Sequence, residues 1–202
     1  MRQQHGIHRV ACVLAHLVAS CSAPLTTESE HLDLTSCGSA ESGAAARLSG
    51  SSLVELSAWK LQLVQDDPLP AHRPQMLLCP PYPYSVERDG LELSTQLCPY
   101  FSMEQASLAA VRAGDPIRFA LYHYDLVADS PGEAHVAILF AGALQWEQTF
   151  AIPSPANSYE YCFVANRDLV PGGVITLHLH NHGQNTWIVT DLSQAGEETA
   201  VR

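Results

Sequence analysis

Apolar and polar residues alternate along most of this chain, with the two-residue period of half-buried β-strands. "PIRFALYHYDLV" (116–127) sets Ile117, Phe119 and Leu121 on one side, and "AHVAILFAG" (134–142) does the same with Val136, Ile138 and Phe140. "ALQWEQTFAI" (143–152) groups Leu144, Trp146 and Phe150, and "SYEYCFVAN" (158–166) groups Tyr159, Tyr161 and Phe163. "GVITLHLHNH" (173–182) groups Ile175, Leu177 and Leu179, and "TWIVTDL" (186–192) closes the series. Earlier, "LSAWKLQLV" (56–64) places Trp59, Leu61 and Leu63 opposite Lys60 and Gln62, which predicts a strand. "QDDPLPAHRP" after it reads as a loop. Beyond the turn at Asp89-Gly90, Leu91, Leu93 and Thr95 alternate with Glu92 and Ser94. Residues 103–112 support two readings. Ser102 and Gln105 form a capping box for a helix, whereas "ASLAAV" before the turn Ala113-Gly114-Asp115-Pro116 reads as a strand, which the surrounding rhythm favours. Short strands at this spacing, punctuated by Gly, Pro, Asn and Asp, predict an all-β fold: a jelly-roll-like antiparallel sandwich over residues 53–195, with a tail from 196 to 202.

The first fifty residues follow another logic. Arg2 and Arg9 precede a short apolar run, "VACVLAHLV", and then small residues, the layout of a secretory signal over residues 1–20. The run is too short to span a bilayer. Val18-Ala19-Ser20-Cys21 resembles the bacterial lipobox, which implies export, cleavage before Cys21 and a lipid on that Cys. In lipoproteins of this type Ser22 after the Cys favours the outer membrane; an ordinary cleavage near Ser20 or Ala23 would instead leave a secreted or periplasmic protein. Residues 21–52, rich in Ser, Thr, Gly, Ala and Glu, read as a flexible tether.

Composition narrows the partners. A net charge of −11, with Lys60 the only lysine, supplies too little cation to neutralise phosphates, which excludes nucleic acid and a polybasic membrane patch. With Cys12 in the leader and Cys21 as lipid site, four of the six Cys remain: Cys37, Cys79, Cys98 and Cys162. An even remainder in an exported chain predicts two disulfides, and local closure favours Cys79–Cys98 with Cys37–Cys162. No CxxC pair is present, so a zinc-ribbon or thioredoxin-like site has no basis. G-x-S-x-G, H-E-x-x-H, P-loop and G-x-G-x-x-G are all absent, and the expectation is a non-catalytic protein.

"MEQASLAAVRAGDPIRFALYHYDL" and "VITLHLHNHGQNTWIVTDLS" resemble strands of galactose-binding-like jelly rolls, the fold of many carbohydrate-binding modules, over roughly residues 82–193. Asn181, Gly183, Trp187, Ile188, Asp191 and Leu192 occupy the Asn-x-Gly and aromatic-Ile-x-Asp-x-Leu positions of that pattern. The resemblance implies a jelly roll with an open face and variable loops, and no particular ligand. "VRAGDPIRF" also resembles a cupredoxin turn-strand, but Cys162 has no His near it in sequence, as a blue-copper site requires.

Three candidate chemistries follow. His178, His180 and His182 share one face of a strand, with Leu177 and Leu179 on the other, and alternate positions lie about 6.6–7 Å apart. Two such imidazoles can converge on copper or zinc, and a bend at Gly183 would bring in the third. His123 and His135, on other strands, can add a ligand. The plain alternative is a polar, half-wet face. The second candidate is a glycan site built on Tyr122 and Tyr124, which share the face opposite Phe119 and Leu121, with Tyr82 and Tyr84 presented on the "PPYPY" loop. Most other aromatics at strand positions are expected to be core. The third is a structural calcium at Asp125 and Asp191. The expected function is thus a cell-envelope lipoprotein with a ligand-binding sandwich, its partner a glycan, a metal ion or another envelope protein.

Overall fold

The computed structural model describes residues 50–88 and 90–196. The leader, Cys21, Cys37, Asp89 and the tail beyond Gly196 lie outside these residues. Among the described residues, regular structure is strand apart from three single turns of 3-10 helix, and no helix is long and apolar enough to cross a membrane.

Ten strands form two five-stranded antiparallel sheets. The strands are β1 (Lys60–Leu61), β2 (Tyr84–Glu87), β3 (Gly90–Ser94), β4 (Tyr100–Ala106), β5 (Pro116–His123), β6 (Gly132–Phe140), β7 (Ala143–Ile152), β8 (Asn157–Val164), β9 (Val174–Asn181) and β10 (Thr186–Gln194). The first sheet runs β1-β4-β9-β6-β7 and the second β2-β3-β10-β5-β8. This is the sandwich that the alternation predicts. The inner faces meet in one core: Phe101, Met103, Leu177, Leu179, Val136 and Ile138 from the first sheet lie against Leu91, Leu93, Phe119, Leu121, Trp187 and Val189 from the second. Fully burying one side chain of this size is worth about 1.5–3 kcal/mol, so the period-2 pattern determines which face of each strand turns inward.

The departures from expectation are local. The segment 56–64 keeps only a two-residue strand at the sheet's edge; Trp59 is buried, but Leu61 and Leu63 stay exposed there, and backbone pairing to β4 ends at Gln62. No helix forms near residue 103. Ser102 and Gln105 lie within β4, with Ser102 and Met103 buried by the sheets' neighbours, and strand pairing ends at Ala106, so "ASLAAV" is mostly beyond it. Leu144 does not join Trp146 and Phe150. Ile138 faces Trp146 while Leu139 faces Leu144, so an extra residue bulges between them and turns Leu144 outward, 37% exposed.

The predicted Cys79–Cys98 disulfide is present, with S–S at 2.03 Å. Cys162 is also disulfide-bonded, while Cys37, its expected partner, lies outside the described residues. Ser51 and Ser52 already run alongside Gln194 and Ser193 of β10, so the end of the expected tether is paired to the sandwich.

Candidate metal centre

The outer face of the first sheet brings the histidines together. Strand register places Tyr100, His180, His135 and Thr149 in one row across β4, β9, β6 and β7, and Ser102, His178, Ala137 and Glu147 in the next. Side chains in adjacent rows on one face are within reach of one another. His178, His180 and His135 therefore project to the same side, opposite the core residues Leu177, Leu179 and Val136. Ala137, directly across from His178, has only a methyl side chain and leaves room above the sheet.

That room is covered by the segment from Gln62 to Arg73. Gln62 is bound to β4 through Ser102 and Glu104: its backbone N–H donates to the Ser102 carbonyl, and its side chain accepts from Ser102 Oγ and donates to Glu104. Further along, Asp67 is the knot. Its carboxylate accepts from Tyr100 Oη at 2.5 Å, from Arg73 Nε at 3.1 Å and from the Leu69 backbone N–H at 3.0 Å. Arg73 also lies over the Tyr100 ring, 4.9 Å from its centre. Burial alone would raise the Asp67 pKa, but the hydrogen bonds from Tyr100, Leu69 and Arg73 outweigh it and hold it below the usual value. Burial and the Asp67 carboxylate push the Tyr100 phenol up, so it remains a donor. The knot fixes the course of the loop, and the loop carries His72 onto the sheet.

His72, His135 and His178 present ligand atoms that all lie within 4.8 Å of one another. Their ring centres are 4.6, 5.3 and 5.3 Å apart. A tetrahedral zinc or copper ion bound about 2.05 Å from each nitrogen would hold three imidazole centres about 5.2 Å apart. The ring centres are already close to that spacing, and the nitrogens, within 4.8 Å of one another, would draw in to about 3.3 Å around such an ion. His178 is 0% exposed, and neither of its ring nitrogens has a hydrogen-bond partner among the described residues. His135 directs Nε2 to Glu147 Oε2 at 2.8 Å and leaves Nδ1 buried and unpartnered. A carboxylate on one ring nitrogen and an open lone pair on the other is how proteins orient an imidazole toward a metal. Burial, reinforced by His135 and His72, lowers the His178 pKa to about 3; burial and His182 lower that of His180 to about 4. Both rings are therefore neutral at neutral pH and their lone pairs are free for a cation.

The structure revises the expected ligand set. His178 is a member. His180 lies beside the triangle, its ring centre 6.3 Å from that of His72, and His182 is tilted against His180 at 4.6 Å and exposed. His123 does not belong. It shares its strand face with Phe119 and Leu121, points into the core, is 1% exposed, and sits against Trp187 at 4.7 Å. Its Nδ1 meets the Tyr124 carbonyl at 2.7 Å and its Nε2 meets Tyr159 Oη at 3.4 Å, so it is a satisfied core histidine on the other sheet. His72 was not anticipated at all, because nothing in "PLPAHRP" shows that this loop folds back over β9.

The aromatic candidates are dispersed. Tyr122 and Tyr124 share the outer face of the second sheet, their rings edge-on at 6.1 Å, with Tyr124 57% exposed. Tyr82 is 81% exposed. Tyr84 is not presented on a loop: it begins β2 and its hydroxyl reaches the Trp59 carbonyl at 3.5 Å. Tyr159 and Tyr161 stack at 5.7 Å and pack on Phe150 and Trp146, as expected of core aromatics. A cavity of about 580 Å³ lies elsewhere, at one end of the sandwich, where Gln96, Asp129, His182 and Gln184 contribute polar groups. Asp191 is taken up by Arg118 at 2.8 Å and by Ser193, and Asp125 accepts from the Ala156 N–H; neither belongs to a group of three metal-competent ligands among the described residues.

No family model and no curated protein matches this chain. Among solved structures, counterparts include a CBM4 structure, at 14% identity over 55% of this chain and 74% of that one, with a TM-score of 0.36. A non-crystalline cellulose specific carbohydrate-binding module, CBM28, matches at 13% identity over 76% of this chain and 96% of that one, with a TM-score of 0.41. TmCBM61, in complex with beta-1,4-galactotriose, matches at 10% identity over 69% and 88%, with a TM-score of 0.34. These three structures are carbohydrate-binding modules, and likeness at this level transfers no ligand to the chain.

Proposed function

We propose that this chain is a non-catalytic binding protein whose ligand is a divalent transition-metal ion, zinc or copper, held by His72, His135 and His178. The observation that carries the reading is His178: a fully buried imidazole with two unpartnered nitrogens, facing two further histidines at metal-site spacing. Leaving a buried polar group unpaired costs about 1–3 kcal/mol, so such a ring persists where something outside the chain completes it. Imidazole ligands suit zinc and copper, and a solvent molecule would fill the fourth position of a zinc site. Export and lipid attachment at Cys21 belong to the same proposal and would place the site at the cell envelope. The test is metal content of the full chain, by mass spectrometry after zinc or copper exposure and dialysis. One ion per chain, lost in His178→Ala and in His72→Ala, is the expected result. Retention of the ion in both variants refutes the site. Radiolabelled palmitate incorporated by the chain but not by Cys21→Ser checks the anchor.

A second reading, glycan binding, is favoured by the cavity of about 580 Å³ at the sandwich end, whose amide and carboxylate groups can meet sugar hydroxyls. It predicts retention on a glycan array that Gln184→Ala reduces and His178→Ala leaves intact. Retention lost instead in Tyr122→Ala or Tyr124→Ala would move the glycan site to the outer face of the second sheet.

A further inference from the structure

Within the triangle His178 is buried, while His72 and His135 are only partly so. His182, exposed, lines the end cavity. Its ring lies tilted against that of His180, with the centres 4.6 Å apart. His180, half-buried, lies 6.3 Å from His72, and His72 lies 4.6 and 5.3 Å from His135 and His178. Imidazoles therefore form a row from the cavity to the triangle. Gly183 shapes the mouth of this line. It adopts a φ of +138°, and a Cβ there would stand 2.3 Å from the Val127 carbonyl oxygen. The turn after His182 can close against residues 127–128 only without a side chain at that position.

We propose that His180 and His182 form an outer, solvent-facing metal-binding pair that captures the ion and passes it to the inner triangle, with His72 as the shared ligand. The inference rests on the metal-binding reading of that triangle. A metal ion moves between sites by exchanging one neutral lone pair for another, so a continuous row of ligands lets it advance without ever returning to a fully hydrated state. His182 and His180 would hold the incoming ion together with water. His72, which lies between His180 and the inner pair, would displace a water, and His135 and His178 would then take over from the outer pair. The step exchanges ligands on an unchanged ion, so no electron is transferred. The Asp67 knot holds the Gln62–Arg73 segment, and His72 with it, in place beside this row.

The experiment is stopped-flow mixing of the metal-free full chain with cobalt(II), followed through the visible absorption of histidine-bound cobalt. The wild type is compared with His180→Ala/His182→Ala, with His182→Ala alone and with His178→Ala. The double variant should reach the same final spectrum and stoichiometry as the wild type, but load on the order of tenfold more slowly. Release to EDTA should slow by the same factor, because a pathway speeds both directions equally. His182→Ala, on an exposed side chain, should show part of the effect with the fold intact. His178→Ala should give no inner-site spectrum at all. Unchanged loading in the double variant overturns the transfer route while the inner site stands. A changed final spectrum or weaker equilibrium binding also overturns it, by making His180 an inner ligand. A wild type that never develops the cobalt spectrum removes the inner site and the route together.

Discussion

His178→Leu should make the metal-free protein more stable while abolishing its response to metal. The ring is fully buried, and its two nitrogens have no partner. Each buried, unpaired donor or acceptor costs about 1–3 kcal/mol, whereas replacing such a group by an apolar one of similar volume removes the cost. Leucine is close in volume and fits between Tyr100 and the neighbouring imidazoles, though its branched shape will recover only part of the gain. A net stabilisation of about 1–3 kcal/mol is expected. For a chain of this length each kcal/mol corresponds to roughly 2–4 °C in Tm, so the metal-free Tm should rise by a few degrees to about ten. The assay is thermal unfolding of the full chain in EDTA and in excess zinc. The wild type should gain about 2.7 kcal/mol when free zinc exceeds its Kd a hundredfold, and the variant should gain nothing. A variant that unfolds at lower temperature than the wild type in EDTA, and still responds to zinc, refutes the reasoning: His178 would then be a structural residue whose ring earns its place without an ion.

Four further outcomes follow from the same geometry. Glu147→Gln, which keeps the size of an exposed side chain but weakens its hold on His135 Nε2, should reduce zinc affinity about 10–100-fold by competition titration, with little change in metal-free Tm. Asp67→Asn should cost about 2 kcal/mol in urea unfolding at neutral pH, because it removes a charged acceptor from Tyr100 and Arg73. The folded-state pKa of Asp67 is lowered, so its contribution is complete above the ordinary carboxylate value and is lost as pH falls through the depressed one; the gap between wild type and Asp67→Asn should narrow in acid. Cys79→Ser/Cys98→Ser opens a loop closed across 19 residues, which should cost about 3 kcal/mol and weaken zinc binding as well, because it frees one end of the stretch that carries His72. Gly183→Ala should lower Tm by the equivalent of about 2 kcal/mol or more, since the added methyl meets a carbonyl oxygen and the residue sits in the left-handed region.

The sandwich was readable because its information is local. In a strand the parity of a residue decides its face, and burial enforces that parity over the whole strand. The same rule placed His178 and His180 together correctly. It also carried a warning about His123, which shares odd-numbered parity with Ile117, Phe119 and Leu121 and so had to point into the core. Where parity failed, at Leu144, the cause was a single bulged residue, which no composition signal marks because Gln145 is an ordinary strand-edge residue.

The remainder of the site depends on contacts between distant parts of the chain. His135 meets His178 only because β6 lies beside β9, a pairing between strands roughly forty residues apart that their own patterns do not specify. His72 meets them only because Asp67, Tyr100 and Arg73 hold a loop across the sheet. Before that loop is in place, the histidine face of β9 is what its sequence suggests, a polar surface open to water. The loop changes its chemistry in two ways at once. It supplies the third imidazole, and it removes the water that would otherwise satisfy His178, so that the lowered basicity and the unpaired nitrogens appear together. A solvated His-Leu-His strand has no need of a metal ion. The same strand under a lid held by a buried carboxylate leaves both His178 nitrogens without a partner among the described residues. The residues that make this a candidate metal centre therefore include Asp67 and Tyr100, which contribute no ligand, as much as the histidines that do.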